Sequence, residues 1–176
     1  MSSGGTGGIS AKELAFWDIE RELRITRRVL AAVPEDKFAW KPHEKSMTLQ
    51  RLAHHVAQLP EWMTMTLAKD ELDFATAPQP NPPATKAELL AVFDGYVEEL
   101  RKTIAEFDMA RMAGMWTIRQ GPKVITTQPR LLCFRVWSLN HLVHHRGQLC
   151  MFLRLLNVPV PAMYFNSADF PEMVFE

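Results

Sequence analysis

The stretch FRVWSLNHLVHHRGQLCMFLRL, residues 134–155, decides how the chain is read. Positions 134, 138, 141, 145, 148, 152 and 155 fall on one line of a helix with 3.6 residues per turn, and they read Phe, Ser, His, His, Gln, Phe, Leu. A stripe that is apolar at both ends and polar in its middle faces a core that contains something besides hydrocarbon. Pro129 suits the first turn of this helix, and Asn157 with Val158-Pro159-Val160-Pro161 ends it.

A helix with one apolar stripe must bury it against partners, and three more helices are legible upstream. Ser10 and Glu13 form a capping box, after which Phe16, Ile19, Leu23, Thr26, Leu30 and Val33 recur at steps of three and four until Pro34. Ser46 or Thr48 caps a second helix, expected to run to about Lys69, whose inner line is Thr48, Leu52, His55, Leu59 and Trp62. Thr85 and Glu88 open a third, with the line Leu89, Phe93, Tyr96, Leu100, Ile104 and Phe107.

Between the second and third helices, Asp73 to Ala84 holds four prolines and no apolar period, which predicts a long crossing loop. β-branched residues around Gln120-Gly121-Pro122 predict a short hairpin or an irregular loop over 115–127. The expected fold is an all-α four-helix bundle, one domain over residues 10–176 behind a flexible lead-in over 1–9.

Composition sets the outer limits of function. The 176 residues are 47% hydrophobic, enough for one core. Twenty basic residues balance twenty acidic ones, with no Lys/Arg block, so neither nucleic acid nor a membrane surface is an expected partner. The Gly/Ser-rich start reads as neither signal peptide nor anchor, no stretch approaches the ~20 apolar residues of a membrane span, and a cytoplasmic location is expected. Cys133 and Cys150 sit in an apolar helical pattern without CxxC or CxxH and read as buried hydrophobes.

Five of the six histidines form two clusters, His54-His55 in the second helix and His141, His144, His145 in the fourth. His141 and His145, four apart, stand one turn above the other and can reach a single ion at ~2.0–2.1 Å. His144 can replace His145 at a spacing of three, although His145 continues the 134/138/141 line. A third imidazole has to come from another helix. There, His55 shares its line with Leu52, Leu59 and Trp62, whereas His54 shares its line with Arg51, Gln58 and Glu61 and is expected to face water, as is the loop residue His43. Pattern alone leaves two readings open, core histidines hydrogen-bonded to neighbours or ligands of one cation. No GxSxG, HExxH, P-loop or dinucleotide fingerprint is present, and an HxxxH without an intervening Glu lacks the general base of zinc proteases.

His55-Val56 late in the second helix, followed by Asn140-His141-Leu142-Val143-His144-His145-Arg146-Gly147-Gln148-Leu149 and the tail Leu156-Asn157-Val158-Pro159-Val160-Pro161 with Tyr164 and Asp169, resembles the DinB/YfiT-like family. The resemblance covers nearly the whole chain after Ser10 and is weakest over 73–84 and 109–127. It implies that His55, His141 and His145 hold one divalent transition metal ion, with zinc, nickel, iron and manganese all met in the family. Three imidazoles with open positions do not choose among them.

Family members include enzymes similar to thiol-dependent transferases or isomerases, which use a low-molecular-weight thiol, and proteins described as metal-dependent hydrolases. The resemblance therefore implies a metalloenzyme acting on a small-molecule substrate, with no catalytic residue beyond the ligands assigned; a non-catalytic, metal-stabilised binding protein is the alternative. Gln148 reads as a partner for a ligand or an interhelical hydrogen bond, Arg146 as a surface or ion-pairing residue, and Gly147 as a point of close helix approach. A homodimer is expected, because Met63, Met65 and Leu67 with Trp62 give the second helix more apolar surface than one stripe requires.

Overall fold

A computed structural model of the protein describes residues 8–78 and 80–172. Most of the lead-in expected over 1–9 lies outside them. The chain runs through α1 (Ala11–Phe16), α2 (Ile19–Ala31), α3 (Leu49–Ala68), β1 (Glu71–Asp73), α4 (Lys86–Glu106), β2 (Met115–Gln120) and β3 (Lys123–Pro129). It then enters α5 (Arg130–Leu132), a π-helix (Cys133–Leu139) and α6 (Asn140–Leu155), which follow one another without a break.

Four helical columns therefore stand where the sequence places them, and two details depart from the expected fold. The first column is broken at Trp17-Asp18 into α1 and α2, with Trp17 exposed and Phe16 and Ile19 on either side buried. The molecule is also not all-helical. β2 and β3 form the expected hairpin, and β1 adds a parallel third strand pairing Leu72 with Ile118, which gives the order β1-β2-β3. Gly121 takes the left-handed backbone (φ 56°) that the tight turn of the hairpin needs. Asp73 secures this turn from β1, its Oδ1 accepting from the amides of Gly121 (2.8 Å) and Ala75 (2.9 Å).

Capping fixes the helix starts as read. Ser10 and Glu13 close a reciprocal box, Thr48 accepts from the Arg51 amide, and Thr85 accepts from the Glu88 amide. At the far end of α6, Asn157 adopts φ 56° and the Val158 amide donates to the Leu153 carbonyl at 2.9 Å, a left-handed stop.

The main core collects the predicted lines of α1/α2, α3 and α4, from Phe16 and Leu23 through Leu52 and Leu59 to Phe93 and Leu100. Despite the long loop between them, α3 and α4 pack more extensively than any other helix pair. A smaller cluster of Leu72, Trp116, Ile118 and Cys133 lies under the sheet. Met63 and Leu67 are fully buried in the main core, with Trp62 and Met65 half-buried, so the surplus apolar surface from which a homodimer is expected is absorbed within one chain. No helix among the described residues is long and apolar enough to cross a membrane.

Candidate metal centre

The π-helix sets the angle at which the fourth column presents its histidines. A π turn contains about one residue more than an α turn, so the helical phase after it is advanced by roughly one position. Phe134 and Ser138 are buried as expected, but beyond the π segment the inward positions become Leu142, Arg146, Leu149 and Leu153. His141 and His145 are thereby moved from the centre of the buried face to its edge, where they remain half-buried; Gln148 and Leu155, further along the predicted line, are exposed.

His55 reaches the same edge from α3. The three rings lie with centroids 4.5 Å (His55–His145), 4.6 Å (His141–His145) and 5.0 Å (His55–His141) apart. One ring nitrogen from each falls within 4.8 Å of the others, and Nε2 of His55 is 3.2 Å from Nε2 of His141. Two nitrogens at ~2.0–2.1 Å from one tetrahedral ion stand about 3.3 Å apart, so the observed separation fits an ion between them.

The outward nitrogens support that fit. Nδ1 of His141 is 3.2 Å from the Trp137 carbonyl oxygen, and Nδ1 of His145 is 2.7 Å from Oε1 of Gln148. Both acceptors can only receive, so in each ring the proton belongs on Nδ1 and Nε2 carries the lone pair turned toward the cluster. Burial pushes all three rings below the usual histidine value, His55 furthest, to about 4, with additional repulsion from His145 and His141. Neutral imidazoles are the form that can donate to a cation. Trp62 walls one side, its ring 6.1 Å from His55 and 5.7 Å from His141.

The remaining polar residues of these helices are sorted differently from the sequence reading. His54 is only 5% exposed rather than facing water, because α3 is covered on more than one side and α4 packs on the flank read as polar. His144 is exposed, its ring 4.8 Å from that of His145, and lies outside the cluster. His43 is exposed as expected.

Arg146 is not at the surface, but it forms the ion pair that is its other expected role, with Glu22. It is 1% exposed and donates to the Glu22 carbonyl (3.1 Å), Thr26 Oγ1 (3.1 Å), Glu22 Oε2 (2.7 Å) and the Tyr164 hydroxyl (2.6 Å). Gly147 is exposed, and a Cβ there would meet nothing within 4 Å, so it marks no close approach. Cys133 and Cys150 are buried, and burial pushes both thiols up.

Two residues near the cluster carry no motif that would single them out. Glu61 and Tyr96 meet across the α3–α4 contact, the phenol hydrogen-bonding the carboxylate, and Glu61 opens on a cleft that His55 also lines.

A model of the DinB family matches residues 10–173. Among solved structures, a DinB-like protein from Bacillus subtilis superimposes with a TM-score of 0.67 at 14% identity, covering 85% of this chain and 97% of that one. A DinB-like protein from Bacillus cereus gives 0.64 at 18% identity, with 86% and 97% covered. At these identities the likeness is one of fold. No curated protein matches the sequence significantly.

Proposed function

Since this chain belongs to the DinB family, we propose that it is a cytoplasmic metal-dependent enzyme, a single domain over residues 10–176, whose reactive centre is one divalent transition ion held by His55, His141 and His145. The observation that carries this reading is the convergence of one ring nitrogen from each of the three histidines within 4.8 Å, while Nδ1 of His141 and of His145 is engaged by a carbonyl oxygen. Ligands oriented before the ion arrives lose little freedom on binding it.

When bound, an ion held by three neutral imidazoles keeps its full dipositive charge and supplies the acidity that brings a thiol or water near deprotonation at neutral pH. The chain's own groups set the rest. His141 and His145 hold their protons on the outward nitrogens, and Trp62 shields the cluster from one side. Buried Cys133 and Cys150, with thiols pushed up, are poor nucleophiles. The nucleophile then comes from solution, and a low-molecular-weight thiol, in a transfer or isomerisation, is the leading candidate, with hydrolysis by water as the rival.

Cobalt(II)-loaded protein titrated with small thiols tests this directly. A sulfur-to-metal charge-transfer band that is absent in His55→Ala is the expected result. A spectrum that responds to phosphate or carboxylate and ignores thiols would transfer the assignment to hydrolysis.

A further inference from the structure

A cleft of about 280 Å³ opens beside the histidine cluster, bounded by His55, Gln58, Glu61, Trp62, Leu72 and Phe74. Its volume falls just below the ~300 Å³ at which ligand pockets begin, so it suits a small molecule. Two elements build it. From α3 come His55, Gln58, Glu61 and Trp62, spaced so that successive turns face the same opening, and from β1 and the loop after it come Leu72 and Phe74. The strand missing from the sequence reading therefore supplies one wall.

The wall chemistry is uneven. Trp62 and Phe74 pack against each other with centroids 6.0 Å apart, tilted by 47°, and Leu72 beside them is buried. Against this apolar surface stands one carboxylate. Glu61 is half-buried; its hydrogen-bond partner is the Tyr96 hydroxyl, and Lys69 acts on it only through space. Gln58 is a second side-chain neighbour of Tyr96 on the same flank. Burial is the main influence on this carboxyl and pushes its pKa up, so its charge is incompletely compensated within the chain. A ligand ammonium would supply the missing countercharge, and the two aromatic faces would favour the same cation.

We infer that this cleft is the substrate-binding site and that it takes a small molecule with an apolar, ring-sized body and a protonated amine, the body against the contacting pair of Trp62 and Phe74 and the amine on Glu61. The inference builds on the reading of the histidine cluster as the reactive centre, since only His55 links the two. It assigns Glu61 to specificity, with Tyr96 positioning its carboxylate.

The test compares three probes of one shape and different charge, phenethylamine, 2-phenylethanol and 3-phenylpropionate, by calorimetry and NMR titration against metal-free and zinc-loaded protein near neutral pH. The amine should bind at least tenfold more tightly than the alcohol, and the carboxylate most weakly, in both forms. Glu61→Gln should bring amine and alcohol to within about twofold, while Trp62→Ala weakens both alike. Equal affinities for amine and alcohol in the wild-type protein, or a preference that survives Glu61→Gln, would overturn the assignment, and the wild-type comparison decides even if a variant fails to fold. Because the metal-free protein is included, the two ideas fail separately. Discrimination without any metal uptake sinks the metalloenzyme and leaves the cleft, whereas metal uptake without discrimination does the reverse.

Discussion

His54 and His55 are adjacent on α3, yet only His55 reaches the cluster. Replacing His55, His141 or His145 by Ala should each weaken metal affinity, measured by competition with a chromophoric chelator, by more than the ~10–100-fold typical of outer contacts. His54→Ala and His144→Ala should leave it nearly intact. Gln148→Ala removes the acceptor that fixes the His145 tautomer and should weaken affinity about tenfold. A second expectation concerns the metal-free protein. The His55 ring is pushed from 6.5 to about 4, chiefly by burial, so between those values the unfolded chain binds a proton that the folded chain refuses. Stability is then complete above pH 6.5 and lost as the pH falls toward 4, and His55→Asn should flatten this part of a urea-denaturation profile. An unchanged slope would mean that the ring titrates normally. The three clustered histidines are legible in the sequence because histidine is a rare residue set at helical spacing among apolar ones. Glu61 is not, since Arg51, Gln58 and Glu61 look like an ordinary wet face until α4 and β1 are placed against it.

The fourth column shows which parts of an element can be read from a sequence. Its ends follow from Pro129 and Asn157, local chemistry that any alignment of residues reveals, and the capping pairs do the same for α1, α3 and α4. The π-helix over Cys133–Leu139 has no such signature, and extrapolating a 3.6 period through it places the histidines one position too deep and Arg146 too far out. β1 is illegible for a different reason: three residues with one buried side chain make no pattern, and the strand exists because β2 is there to pair with it. The buried Arg146 joins α6 to Glu22 and Thr26 of α2 and to Tyr164 of the tail, whose own hydroxyl donates to Glu22 at 3.0 Å. Arg146→Ala strands the Glu22 carboxylate in the core and should cost about 3–5 kcal/mol in denaturant unfolding. Exposed pairs such as Arg27–Asp94 and Arg101–Glu20 should cost no more than ~1 kcal/mol when broken.

For the molecule as a whole, an ion bound only by the folded state adds to stability by mass action. At free metal a hundredfold above the dissociation constant the gain is about 2.7 kcal/mol, which for a chain of this size raises Tm by roughly 5–10 °C, and excess chelator should reverse the shift in differential scanning calorimetry. No change in Tm on loading would argue against a site formed by folding. With Met63 and Leu67 buried in the monomer, the apolar surface from which a homodimer is expected is taken up inside one chain, and light scattering at micromolar concentration measures the oligomeric state directly. The separation of the ligands along the chain also fixes when an ion can act. His55 and His141 are 86 residues apart, and closing a loop of that length costs an unfolded chain about 4 kcal/mol before any contact repays it. The histidine triad therefore assembles only when α3 and the last column dock. Metal should leave the refolding rate untouched and slow unfolding alone, so that in stopped-flow measurements the whole of its stabilisation appears as a longer native lifetime.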